Sequence, residues 1–110
     1  MSEVEVRPGL PGDCEVVAAM VRELARYAGV EARVTGAALE REAFGPRPTI
    51  SLLVAEDEWN VLGCLVHQDT FSSWRGANGL FVVDLFVRAD QRGRGIGLAL
   101  MREAARIGRA

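Results

Sequence analysis

The chain has 110 residues, 49% of them hydrophobic and 25% charged, which fits one small domain at residues 1–110 and excludes a disordered polymer. A net charge of −2, with acids and bases mixed along the chain, argues against a nucleic-acid surface. The opening MSEVEVRPG lacks the basic-then-apolar layout of a secretory leader and no apolar run approaches about 18 residues, so a soluble cytoplasmic protein with no membrane partner is expected.

Val4 and Val6 alternate with Glu3, Glu5 and Arg7 until Pro8-Gly9 stops the run, which predicts a short, half-exposed first strand. Asp13 and Glu15 sit where a helix N-terminus prefers negative charge. Val16, Val17, Met20, Leu24 and Tyr27 then recur at spacings of three and four, predicting an amphipathic helix that ends near Gly29. Thr35 is a suitable N-cap for a second, shorter helix through Leu39 and Ala43, closed by Phe44-Gly45-Pro46. ISLLVAE and VLGCLVHQ are strand-like, with Glu56–Asn60 as a hairpin turn between them. A loop from Ser72 to Asn78 leads into the longest apolar run, Leu80 to Val87, interrupted only by Asp84. Leu100, Met101, Ala104 and Ile107 predict one face of a closing helix, with Gly108 as its C-terminal stop. The order is β-α-α-β-β-β-α, with no internal repeat and no linker.

Isolated chemistry is sparse. Cys14 and Cys64 are too few for a disulfide framework or a zinc site and are expected as buried thiols. His67, single and within a strand, is expected to be structural, and no second ligand supports a metal. All 13 basic residues are arginine, which we assign to compositional bias.

The concentration of unusual residues lies at 91–97, QRGRGIG, between a strand and a helix. A helix N-terminus offers unpaired N–H groups and partial positive charge, and glycines let an anion approach without meeting a Cβ. Gly93, Gly95 and Gly97, with Arg92 and Arg94 beside them, therefore form a candidate phosphate or diphosphate cradle; a tight turn needing glycine for geometry alone is the plainer alternative. A nucleotide-hydrolase phosphate loop would need Gly-Lys, and the chain has no lysine. The dinucleotide pattern G-x-G-x-x-G counted from Gly93 fails at Leu98. The remaining match is R-x-x-G-x-G, at Arg92, Gly95 and Gly97.

That motif, placed after a strand, resembles the acetyl-coenzyme A signature of the GNAT superfamily of N-acetyltransferases. VRPGLPGDC leading to a helix ending ELARYAG, then AFGPRP, LVAE, a Trp-containing loop and VDLFVRADQRGRGIG are collinear with its diamine (spermidine/spermine) branch over the whole chain. The resemblance implies the N-terminal portion of an α/β (α+β) GNAT domain with a mixed, mostly antiparallel four-stranded sheet. It implies acetyl-CoA as co-substrate, with the diphosphate on the loop of Arg92, Gly93, Arg94, Gly95, Ile96, Gly97 and Leu98, and pantetheine along the backbone of Leu85, Phe86 and Val87. A small-molecule primary amine would be the acceptor.

The resemblance departs from the branch at two acids. The residue before Asp84 is Val83 where that branch carries an acid, and the residue after Tyr27 is Ala28. Asp84 either bears on the amine, or pairs with an arginine or caps a neighbouring segment; strand alternation would turn it away from Val83. Tyr27 is a ligand contact or a helix-end core residue. Trp74 either walls an amine-binding mouth or covers the core edge. The sequence stops at Ala110, after the cradle helix, where relatives continue with further strands and an acid tyrosine, so the usual catalytic acid has no assigned residue here. The strand Leu80–Val87 is then expected at an exposed edge, giving a homodimer or other homo-oligomer. A CoA-binding or self-associating module without turnover is the alternative function.

Overall fold

The computed structural model describes residues 3–109. Four strands form one sheet in the order β1-β2-β3-β4, and every pairing is antiparallel. The expected mixed, mostly antiparallel sheet is thus wholly antiparallel among the described residues. The order β-α-α-β-β-β-α is as expected, with short 3₁₀ turns at Pro11–Asp13 and Ala89–Gln91 that sequence periodicity did not resolve.

Strand β1 (Glu5–Pro8) lies at one edge, where Pro8, lacking an N–H, is tolerated. Arg7 on β1 donates to Asp13 at 2.8 Å and to Glu56 at 2.8 Å, tying the first 3₁₀ turn and the end of β2 (Ser51–Glu56) to β1. The guanidinium is the main reason that the carboxyl of Asp13 sits below the usual carboxylate range. Asp13 precedes helix α1 (Cys14–Tyr27), but its oxygens serve Arg7 and the Leu10 amide, not the free amides of α1.

The apolar face of α1 is Cys14, Val17, Ala18 and Met20, all buried. Val16 and Tyr27 share the three-and-four spacing but are exposed, because they lie at the margins of the stripe. The predicted cap of helix α2 (Gly36–Phe44) is present, with Thr35 Oγ1 accepting from the Ala38 amide at 3.1 Å. The sheet separates two cores. Leu52, Val54, Cys64, Val66 and Phe86 pack toward α1 and α2. Leu53, Leu62 and Leu65 pack toward Ile96, Leu100 and Ala104 of helix α3 (Ile96–Arg109). Each fully buried leucine contributes about 1.5–3 kcal/mol of apolar burial.

Two further boundaries differ from expectation. Strands β3 (Val61–Ser72) and β4 (Ala77–Val87) extend into the segment read as a Ser72–Asn78 loop, because ladder pairing continues through Thr70–Gly79 and Ser72–Ala77 despite the polar sequence. Helix α3 passes through Gly108, whose Cα side faces Leu80, so this glycine is not the helix stop. Met101, expected on the buried face, is exposed, and Ile96 takes its place at the start of the stripe.

Candidate functional site

The site begins where β4 ends. After Val87 the chain makes the 3₁₀ turn Ala89–Gln91, passes through Arg92–Gly95 and enters α3 at Ile96. Gly93 and Gly95 have φ of 84° and 75°, a left-handed backbone that side chains strongly disfavour. At these two positions the turn itself requires glycine, whether or not an anion also rests there. Gly97 is different. Its φ is ordinary, and a Cβ there would meet only Val87 Cγ2 at 3.7 Å, a normal contact. Nothing in the chain's own packing requires glycine at 97.

The first i→i−4 bond of α3 runs from the Ala99 amide to the Gly95 carbonyl at 2.9 Å. The amides of Ile96, Gly97 and Leu98 therefore precede the helical ladder and carry the positive end of its dipole. Ile96 and Leu100 are buried against the sheet and fix the direction in which those amides point. A hollow of about 250 Å³, lined by Val87, Gln91, Arg92, Gly93, Gly95, Ile96 and Gly97, lies in front of them. Arg94 bonds Gln91 Oε1, which ties the loop to the 3₁₀ turn.

Beside this hollow runs the outer edge of β4, the last strand of the sheet. The Arg88 amide donates to Leu62 O at 2.9 Å, which sets the phase of the antiparallel ladder. By alternation Phe86 faces inward to bond Cys64, while Leu85 and Val87 turn their N–H and C=O groups to the open side. The Val87 carbonyl accepts from Arg92 Nε at 3.2 Å, as that phase requires. The expected trio Leu85–Phe86–Val87 thus splits: two residues present edge backbone, and Phe86 contributes a buried ring.

A β-bulge interrupts the register between Val66 and His67 of β3, opposite Val83. Val82 and Leu85, three residues apart, both pack in the α3-side core, so strict alternation fails across Val83 and Asp84. The expectation that Asp84 points opposite to Val83 rested on unbroken alternation and does not apply here. Asp84 is half-buried, and burial pushes its carboxyl pKa up. Among the described residues no arginine pairs with it, so the ion-pair explanation is removed.

Tyr27, at the C-terminal end of α1, is 62% exposed and is not a core residue. Its ring lies under the Arg92 guanidinium, 5.2 Å from the centroid, and Phe86 is 5.9 Å from the same group. No sequence pattern signals this meeting of α1, β4 and the glycine loop, because the three residues are distant in the chain. Trp74 stands in the β3–β4 turn, 98% exposed, and covers no core. The length of β4, roughly 33 Å at about 3.3 Å per residue, separates that turn from the hollow.

His67 is buried within β3 as expected, its Nδ1 without a partner, and burial holds its pKa below the usual histidine value. Both cysteines are buried free thiols, and desolvation pushes Cys64 up to about 12. Among the described residues no cluster of His, Cys, Asp and Glu could hold a metal, and no helix is long and apolar enough to cross a membrane.

Comparison with known proteins agrees with this fold. The model of the Acetyltransferase (GNAT) family matches residues 17–110. A thialysine N-epsilon-acetyltransferase from Bos taurus is 29% identical over 117 residues, covering 97% of this chain and 68% of the relative. A human spermidine/spermine N(1)-acetyltransferase-like protein 1 is 28% identical, covering 97% of this chain and 16% of the relative. An integron cassette protein from the mobile metagenome of V. cholerae superposes with a TM-score of 0.73 at 27% identity, over 97% of this chain and 68% of that one.

Proposed function

Because the chain belongs to the GNAT family of acetyltransferases, we propose that it transfers an acetyl group from acetyl-CoA to a primary amine of a small molecule. Gly97 carries the reading. Gly93 and Gly95 are explained by backbone geometry, whereas Gly97 keeps clear a space that the chain itself does not need. That space lies directly before three unladdered amides, where a diphosphate oxygen would otherwise strike a Cβ.

In this reading the amides of Ile96, Gly97 and Leu98, with Arg92 and Arg94 at the rim, hold the diphosphate of CoA, and Gly93 and Gly95 shape the turn. The pantetheine arm lies along β4 as an added strand, its amides meeting the open backbone of Leu85 and Val87. An outward N–H at this edge then polarises the thioester carbonyl and stabilises the charge that grows on its oxygen. Much of the rate comes from holding amine and thioester together. Asp84, one residue from that edge, accepts the amine proton, and its raised pKa makes it a stronger base than an ordinary carboxylate. The amine nitrogen forms the new C–N bond as the C–S bond breaks, and CoA departs with its sulfur protonated from solvent. Trp74, 98% exposed in the β3–β4 turn and remote from the hollow, is not assigned to the amine.

We further propose that residues 1–110 act as one domain of this family, in the cytoplasm, and self-associate through the part of the β4 edge that lies away from the cradle. The experiment is thiol release from acetyl-CoA measured with a panel of diamines, amino acids and aminoglycosides. Amine-dependent release that Asp84→Asn lowers about 10²-fold supports the reading. Tight CoA binding with no release from any amine would favour a binding module without turnover.

A further inference from the structure

We infer that Tyr27 is a positioning residue for the diphosphate cradle: its ring holds the Arg92 guanidinium at the rim, so that helix α1 takes part in binding the cofactor's phosphates. The inference rests on the cradle reading above and goes beyond it in assigning a residue outside the glycine motif. Arg92 is held from three directions. Its Nε donates to the Val87 carbonyl at 3.2 Å, the Tyr27 ring lies 5.2 Å away, and the Phe86 ring lies 5.9 Å away. A long, exposed arginine beside a glycine turn would otherwise sample many rotamers, each lost on binding an anion.

The mode of holding matters chemically. A guanidinium packed on an aromatic ring uses its face, while its N–H donors remain in its own plane. With Nε committed to Val87, the two terminal nitrogens are the donors left for a planar, two-pronged contact with phosphate oxygens. Arg92 also lines the hollow before the amides of α3, so this fork and those amides converge on one volume. The Val87 carbonyl belongs to the open edge of β4. Arg92 therefore also marks the point at which the pantetheine path gives way to the phosphates.

The test uses the full chain and CoA as the probe. In wild type the Arg92 Nε–H proton resonance should be shifted upfield by the Tyr27 ring, a shift kept in Tyr27→Phe and lost in Tyr27→Leu. Tyr27→Leu should raise the Kd for CoA about three- to fivefold with Tm unchanged, as its exposure allows. Tyr27→Phe should bind CoA within about twofold of wild type. In an Arg92→Met background, Tyr27→Leu should have no further effect, since the ring acts only through the guanidinium. Wild-type CoA binding that Tyr27→Leu leaves intact, or an undiminished Tyr27→Leu effect without Arg92, overturns the inference alone. Failure of wild type to bind CoA overturns the cradle reading on which it stands.

Discussion

The three glycines of QRGRGIG look interchangeable in the sequence, yet their surroundings separate them. At Gly95, with φ of 75°, alanine carries a left-handed penalty of about 1–2 kcal/mol, so Gly95→Ala should lower Tm as well as CoA affinity. At Gly97 the backbone is ordinary and a Cβ has room, and alanine is the better helix former by up to about 1 kcal/mol. Gly97→Ala should therefore leave Tm unchanged or raised while weakening CoA binding at least about tenfold. Thermal melts beside titrations of both variants check this; parallel losses at the two positions would remove the case for a ligand. Asp84 gives a second separation. Its folded pKa is raised above the unfolded value, so the folded state binds the proton more tightly, and stability falls as pH rises from the unfolded pKa through the folded one. Asp84→Asn should then melt above wild type at pH 7, with the gap closing below about pH 4, while turnover falls. A variant less stable than wild type at pH 7 would show that the carboxylate has a structural partner. The glycines and Asp84 were legible as a pattern. Their separate roles were not, because φ and free space depend on the fold around them.

At the scale of elements, apolar patterning located β1–β4 and α1–α3: the helices carry a 3.6-residue repeat, whereas β2 and β3, buried on both faces between the two cores, read as continuous apolar runs. It failed where something other than burial decides the structure. The distal halves of β3 and β4 are largely exposed and held by ladder pairing, and Gly108 stays helical as Ile107 beside it and Leu80 of β4 pack in the α3-side core. The bulge at Val83 left no mark in composition, yet it breaks the alternation that would have set Asp84 opposite Val83. The phase of β4 carries the sharpest prediction here. The amides of Leu85 and Val87 should exchange rapidly in free protein and become protected when CoA binds, while the inward Phe86 amide stays protected throughout. Hydrogen exchange with residue resolution checks it; protection at Phe86 alone would place the pantetheine arm elsewhere.

The molecule as a whole is a twisted antiparallel sheet with helices on both faces and β4 at its outer edge. Phe81 and Val83 are exposed along the part of β4 that lies away from the cradle, and an open apolar edge favours pairing with a second copy. Sedimentation should detect a concentration-dependent dimer that a lysine at 81 weakens; a monomer at high concentration would remove this proposal without touching the site. In the proposed function a strand edge, a glycine turn and a helix start join into one acetyl-CoA groove, with the acceptor amine near the bulge. Calorimetric titration of the purified chain with acetyl-CoA, beside the Gly95→Glu variant, tests that claim most directly. Micromolar binding that the added carboxylate abolishes is the predicted result. No heat at high protein concentration, or binding that Gly95→Glu leaves intact, would contradict it.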